Sequence, residues 1–461
     1  MTATGLTAVP GPTTSRSRPG LARLLGVSSL AHFLNDGVVF FVPVVGDLLS
    51  QDRHLSTVMV TAMLTVFYVT SAGFGVAVGL AADAIGRRGP MIAVGIATLG
   101  VSLFGFYASL SLAGIPSDIL VLVAAAVAGV GSSFYHPLGG SVLQLGFPAS
   151  ARGRALGING AAGSLGRALY PAMFFVIAAI GISRAATTVV FGALSLLAAV
   201  AIAVGLPTDP GRGAGPHSTA RRAAPAPAPA PAPSPTGATA GRTSALGGEG
   251  RAGSSRSPGA SLRSLLSRSV VALMAISFLR SLAFIGIVSW IPIYLTTERH
   301  AGLSTGLGWT VTVMYAGGIV GQPLFGVLAD RFDKRFVLAL DSLGSAVGIF
   351  LFLSTAGHGA AALLALAVFG LFTFSGFPLL MSLVADYVPK ASSTTGNALV
   401  WGVGSTGGQA LGPVAVSLLM GGSHAHLGLA FAILGALAAA TVLGTPLLQR
   451  TGRSARMALF G

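Results

Sequence analysis

Twelve apolar segments, each about as long as a bilayer's hydrocarbon core is thick, make up most of this chain and constrain its fold more than any other feature. They run over residues 24 to 50, 56 to 82, 90 to 113, 117 to 145, 155 to 181 and 186 to 206, then 266 to 296, 304 to 329, 336 to 356, 359 to 388, 394 to 421 and 425 to 448. Backbone immersed in hydrocarbon has to satisfy its own hydrogen bonds, so such segments are helices. With 53% hydrophobic and 8% charged residues, the chain is far from the roughly 25% charge of a soluble domain. It is predicted to be an all-α integral membrane protein. The first segment carries Asp36 and is too long for the apolar core of a signal peptide, so it is expected to remain as a span.

The segments fall into two sets of six that share internal landmarks. Gly79-Leu80-Ala81-Ala82-Asp83-Ala84-Ile85-Gly86-Arg87-Arg88 returns in the second set as Gly326-Val327-Leu328-Ala329-Asp330-Arg331-Phe332-Asp333-Lys334-Arg335. Gly166-Arg167-Ala168-Leu169-Tyr170-Pro171 is matched by Gly408-Gln409-Ala410-Leu411-Gly412-Pro413, Pro137 by Pro378, and Pro43 by Pro292. The order is kept at a nearly constant offset, as expected of a duplicated bundle. The repeated Gly-x-x-x-Asp-x-x-x-Arg/Lys-Arg turn resembles the loop signature of the major facilitator superfamily. That resemblance implies two pseudo-symmetric six-helix bundles, residues 24 to 206 and 263 to 448, flanked by tails 1 to 23 and 449 to 461.

Residues 207 to 262, between the bundles, alternate Ala and Pro from Ala224 to Pro233 among Gly, Ser and Arg. Such a composition cannot bury a core and is expected to be a disordered tether. The net charge of +15 is distributed by side. Arg16, Arg18, Arg23, Arg87, Arg88, Arg152, Arg154, the arginines between residues 212 and 268, Arg331, Lys334, Arg335, Lys390, Arg450, Arg453 and Arg456 fall on one side, and only Arg53, Arg184 and Arg299 on the other. The positive-inside rule then puts both termini in the cytoplasm of a multi-pass plasma (inner) membrane protein. This placement accounts for the charge without nucleic acid. Cysteine is absent, which excludes disulfides and thiolate metal sites. No Walker-type phosphate loop is present, so ATP is not expected to drive the protein, which is not read as an enzyme.

Ionisable residues inside spans are costly and usually face a cavity or a partner. Asp36, Arg167 and Arg280 are of this kind, with His32 and His136 beside them, and none is repeated in the other half: His32, Asn35 and Asp36 align with Ser281, Phe284 and Ile285, His136 with Phe377, and Arg167 with Gln409. Function is therefore expected where the repeat fails. His32 and Asp36 are four residues apart on one helix face, and a carboxylate beside an imidazole can exchange a proton near neutral pH. Asp36 is the expected proton carrier, tuned by His32, and the proton is the only coupling agent, with no cofactor or metal. The competing reading is a buried network in which Asp36 neutralises Arg280 or Arg167.

His32-Phe33-Leu34-Asn35-Asp36, Gly129-Val130-Gly131-Ser132-Ser133-Phe134-Tyr135-His136-Pro137 and Ser277-Phe278-Leu279-Arg280-Ser281 resemble stretches of the fosmidomycin-resistance transporters. Leu138 stands where those proteins commonly carry an acidic residue, and Arg167 interrupts a run of small residues. The resemblance implies a proton-coupled secondary transporter of a small organic solute, with export by antiport first and uptake of an organic anion by symport second. A transporter-shaped sensor or scaffold without flux is a minor third reading. Two arginines and two histidines around one acid favour an anionic solute. Asn35, Tyr135, His136, Arg167, Arg280, Trp290 and Gln409 are the expected substrate-binding residues, and Phe40, Tyr68, Tyr315 and Trp401 are further aromatic candidates. The glycines 157, 160, 163 and 166 allow tight helix crossing and resemble an antiporter motif, in which Tyr170 replaces the usual final Gly. Gly79, Asp83, Arg87, Arg88, Gly326, Asp330, Lys334, Arg335 and Asp386 are expected to form a conformational latch. Asp83 and Asp330 would face helix starts near Ser392 to Thr395 and Ser150 in the opposite half. The protein is expected to be monomeric, in contact with lipid and a small-molecule substrate.

Overall fold

The computed structural model describes residues 18–112, 114–147, 149–208, 265–355, 359–388 and 398–450. The terminal tails before Arg18 and after Arg450 and the tether beyond Thr208 lie outside the described residues, as do Ser392 to Thr395. The first half comprises α1 (Arg18–Arg53), α2 (Thr57–Ile85), α3 (Arg88–Ser111), α4 (Ile115–Ser132), α5 (Tyr135–Gly146), α6 (Ala149–Ala179) and α7 (Arg184–Gly205). The second comprises α8 (Arg268–Thr297), α9 (Thr305–Arg331), α10 (Lys334–Ser354), α11 (Gly359–Thr373) and α12 (Gly376–Tyr387). A wide π-helical run over Ala398–Thr406 then leads into α13 (Gly407–Met420), and α14 (Leu427–Ala440) tightens into a 3₁₀ turn over Thr441–Leu447. Ten apolar stretches are long enough to cross a membrane by themselves. The tenth and eleventh spans are each assembled from two shorter pieces, giving twelve crossings in two six-span halves, and no strand occurs among the described residues.

The duplication seen in the sequence is visible as geometry. The fourth span breaks at Ser133 and Phe134 and the tenth at Phe374 and Ser375. Each then restarts with a helix whose third residue is the matched proline, Pro137 in α5 and Pro378 in α12. At the first break, the Ser132 and Ser133 hydroxyls donate to the Gly129 and Val130 carbonyls at 3.0 and 2.6 Å, supplying donors where the helix ladder is interrupted. Pro43 and Pro292 likewise lie inside the matched helices α1 and α8, the most deeply enclosed of the spans.

The halves meet along α1 with α8, α2 with α13, and α6 with α9. On the side opposite the basic turns the seam is tied by polar contacts: Thr296 Oγ1 lies 2.7 Å from Asp47 Oδ1, Gln51 Nε2 donates to Thr296 Oγ1 at 3.1 Å, Thr57 Oγ1 meets His424 Nε2 at 2.9 Å, and Arg184 donates to the Leu303 carbonyl at 3.4 Å. Deeper in, Gly308 is pressed on the Pro171 carbonyl, Thr312 donates to the Ala168 carbonyl, and Gln322 donates to Ser164 Oγ at 3.3 Å. A Cβ at Gly160 would still stand 3.4 Å from Gln322, but one turn further toward the basic side Gly157 in α6 and Gly326 in α9 face open space. So do Gly79 in α2 and Gly402 in the π-helical run. Among the described residues, the contacts between the halves gather on one side of the bundle, and the seam is parted at these glycines on the side of the basic turns. Close packing at Gly79 and Gly326, expected from their size, is therefore not a feature of this conformation.

Candidate functional site

Asp36 stands at the middle of α1, almost fully buried, and four polar side chains converge on it. His32 Nε2 lies 3.4 Å from Oδ2, one turn earlier on the same helix. His136 Nε2 lies 3.4 Å from Oδ1, Asn35 Nδ2 donates to Oδ1 at 3.0 Å, and Arg167 Nε lies 3.7 Å from Oδ2. His136 reaches this position because the break before α5 turns the start of that helix inward, and its side chain is still 53% exposed. The carboxylate is thus enclosed, and one of its partners is open to the outside.

A second shell fixes the imidazole. His32 Nδ1 lies 2.8 Å from the Asn159 carbonyl and 3.1 Å from Asn159 Oδ1, and its ring stacks on Tyr135 with centroids 4.6 Å apart. Tyr135 in turn donates to the Ser28 carbonyl at 2.9 Å, and Asn159 Nδ2 donates to the tyrosine oxygen at 2.8 Å. The ring has space because residue 163 is glycine: a Cβ there would stand 2.5 Å from His32 Nε2. A carbonyl oxygen can only accept, so Nδ1 carries the hydrogen and Nε2 faces the Asp36 oxygen. Two lone pairs would oppose each other there unless a proton lies between them. The geometry therefore favours a proton shared by His32 and Asp36.

Arg167 is held from both halves. Its Nη2 donates to Ser164 Oγ at 2.7 Å, and its guanidinium carbon lies 5.2 Å from the Phe40 ring of the first half and 5.2 Å from the Phe374 ring of the second. Both distances are within cation–π range. Tyr315 completes this aromatic box, 5.3 Å from Phe40 and 5.4 Å from Phe374 between centroids. His32, Asp36 and His136 each offer a ligand atom, all within 4.8 Å of one another, and could hold a cation. The Arg167 guanidinium on the same carboxylate opposes that use, whereas it suits an anion.

The structure does not bring every expected substrate residue to this centre. Arg280 is ion-paired with Asp341 of α10 inside the second half, with its guanidinium 4.9 Å from the Phe284 ring. It is therefore not the counter-charge of Asp36, and the arginine count around the acid falls from two to one. Gly376, at the break before α12, passes so close to this pair that a Cβ would lie 2.7 Å from Arg280 Nη1. Trp290 is fully buried toward the closed side, with His424 6.4 Å away between ring centroids. Gln409 donates to Ser405 Oγ at 3.3 Å, and Ser405 meets Ser281 at 2.8 Å. This is the second half's version of His32 packing on Gly163. Tyr68 meets Ser289 across the seam at 3.2 Å, and Trp401 lies in the π-helical run, its carbonyl accepting from Thr406 at 3.0 Å.

The two basic turns are built differently. Gly86 caps α2 with φ of 66°, a left-handed backbone that suits glycine. Its counterpart Asp333 caps the start of α10, accepting from the Arg335 backbone at 3.0 Å. Asp333 also takes the Arg335 guanidinium at 2.7 Å, which holds its carboxyl below the usual range. Lys334 pairs with Asp386 at 2.6 Å, whereas Arg335 turns to Asp333 and donates to the Leu448 carbonyl at 3.3 Å. Arg87 and Arg88 open α3. The side chains of Asp83, Asp330 and Ser150 lie outside the described residues.

Asn159 and Asp341 carry structural weight that the sequence reading did not assign. Asn159 interrupts the glycine run of the fifth span, and Asp341 is an acid inside the ninth. An inventory of every polar residue within the spans would have found both.

The Major Facilitator Superfamily model matches residues 27–413 and 302–456, and so both halves of the bundle. The chain belongs to the major facilitator superfamily. Over 161 residues it is 31% identical to the multidrug resistance protein MdtG of Salmonella paratyphi C (strain RKS4594), a match covering 33% of this chain and 37% of that protein. Over 141 residues it is 32% identical to an uncharacterized protein of Archaeoglobus fulgidus, covering 30% and 64%. The matched stretch thus spans only about a third of the MdtG relative's length. Among solved structures, the xylose transporter XylE of E. coli in an inward open conformation superposes with a TM-score of 0.68 at 14% identity, covering 94% of this chain and 97% of that one. A bacterial homolog of the human lysosomal transporter Spinster, inward-facing and unoccupied, gives 0.64 at 15% identity, covering 94% and 96%. This member of the superfamily is a multi-pass membrane protein with the fold of those transporters.

Proposed function

We propose that this protein is a proton-coupled transporter that works by alternating access, with Asp36 as the proton carrier and His32 as its tuning partner. The observation that carries the reading is the His32–Asp36 contact at 3.4 Å, in which Nδ1 is committed to the Asn159 carbonyl and the facing atoms need a proton between them. The parted seam on the basic side, taken with the positive-inside orientation, corresponds to an inward-open plasma-membrane protein with cytoplasmic termini. A solute entering from the cytoplasm meets His136 first and Asp36 behind it. Export by antiport is the preferred direction, and the likeness to a multidrug resistance protein supports it. In that mode a solute that competes for the Asp36 centre displaces the shared proton.

One observation favours a second reading. Arg167 is the only arginine on Asp36 among the described residues. An anionic solute that draws it away leaves the carboxylate without its cation, and the carboxylate then binds a proton more readily. Anion and proton load together in that case, which is symport. Vesicles with an imposed proton gradient of either sign decide between the two. Solute affinity that rises with pH supports antiport, and affinity that falls with pH supports symport of an anion. Transport indifferent to the gradient in both orientations overturns proton coupling altogether.

A further inference from the structure

We propose that Asp47 is a second proton-binding site, distinct from Asp36, whose protonation seals the bundle on the side opposite the basic turns. The inference rests on the alternating-access fold and not on Asp36 as the carrier. Asp47 lies eleven residues beyond Asp36 on α1, about three helical turns, and therefore on nearly the same face. Its side chain is fully buried at the seam between the halves. Oδ1 meets Thr296 Oγ1 of α8 at 2.7 Å, whereas Oδ2 has no hydrogen-bond partner.

The other charged groups at this end are engaged elsewhere. On α1, Asp52 is paired with Arg184 of α7 at 2.9 Å. Arg53, His54 and Asp118 of α4 line a surface hollow together with Asp52. Just past α8, Arg299 donates to the Tyr294 hydroxyl at 2.7 Å and to the Leu353 carbonyl at 3.2 Å, and Glu298 accepts from the Gly428 amide at 3.1 Å. His424, after α13, meets Thr57 of α2. Asp47 has no cationic partner among the described residues.

A buried carboxylate with a bare second oxygen is costly, and protonation removes the charge, leaving Oδ2 as a neutral carbonyl oxygen. As an acid, Asp47 donates to Thr296 Oγ1. The Thr296 hydrogen then goes to the Ile293 carbonyl, already 3.0 Å away, and Gln51 Nε2 supplies a second donor to the same hydroxyl oxygen. Parting the seam hydrates Asp47, and the charged form becomes favourable. The closed seam therefore binds one proton more than the open one, and raising the pH on that face favours opening.

The absence of cysteine from the chain makes a direct test possible. Ala172, buried where α6 meets Gly308 of α9, is replaced by cysteine, and its labelling by a membrane-impermeant maleimide is followed in intact cells across external pH. The labelling rate, divided at each pH by that of a free thiol with the same maleimide so that thiolate formation cancels, is expected to rise with pH by up to about tenfold per unit, the limit for one linked proton. In the Asp47→Asn background it stays slow at every pH. A flat profile with Asp47 intact, or a slope or uniformly fast labelling in Asp47→Asn, overturns the proposal. Thr296→Val is the second variant and should label faster at every pH with the slope kept, so unchanged labelling there also counts against the seal. Asp36→Asn should lose proton-driven transport but keep the labelling slope, which separates failure of this inference from failure of the coupling assignment.

Discussion

Arg167 of α6 and Asp36 of α1 lie 3.7 Å apart, and the arginine is clasped between Phe40 of one half and Phe374 of the other. The cation beside Asp36 is therefore held by residues of both halves. Any change in how the halves sit against each other alters the cation that Asp36 feels.

Asp36→Asn removes the ionisable group and keeps the shape. Proton-driven accumulation in proteoliposomes is expected to fall to background, while solute binding or exchange at equal pH on both faces persists. Retained accumulation would remove Asp36 from the coupling step.

Arg167→Gln keeps a donor but loses the charge and the stacking on Phe40 and Phe374. Binding of anionic solutes should weaken about tenfold or more, the scale of one charge-assisted hydrogen bond, and binding of neutral solutes much less. Equal losses for both would assign Arg167 to folding.

Arg280 and Asp341 are buried together within the second half, so each needs the other. Arg280→Met or Asp341→Leu alone should cost about 3 to 5 kcal/mol by stranding a charge, and the double variant far less. Thermal unfolding in detergent measures this. A double variant as unstable as the sum of the two singles would mean that the pair is not the source of the loss.

Asp333→Ala removes the cap of α10 and should cost about 1 kcal/mol. The sign of the pH dependence follows from Arg335 holding the folded carboxyl below its unfolded value of about 3.9. The contribution is complete above that unfolded value and is lost as pH falls through the lower folded one. The difference between Asp333→Ala and the parent should therefore be steady at neutral pH and vanish in acid. A difference that grows on acidification would exclude the contact.

The fold was readable because membrane helices announce themselves by length and hydropathy, and the repeated turn and prolines supplied the two-half arrangement. Asp36 with His32 was equally readable, since a four-residue spacing on a helix dictates proximity. What failed was pairing between helices far apart in sequence. A whole span lies between Arg280 and Asp341 in the chain, and nothing in either segment indicates which faces the other. Asn159 is a similar case, because its role depends on how α6 crosses α1. Trp290 neighbours Arg280 along the chain, but ten residues of helix carry it to the other end of the bundle.

The glycines of the parted seam have a mechanical meaning of their own. On the sealed side Gly308 has the Pro171 carbonyl and Ala172 of the other half pressed against it, and a larger residue there would force the halves apart. Among the described residues nothing stands close to Gly157, Gly326 and Gly402, so a bulky side chain fits them now and obstructs only an arrangement in which those helices come together. The seam thus behaves as a seesaw with separate stops at its two ends, and a single substitution at one end or the other can lean the protein toward either resting position.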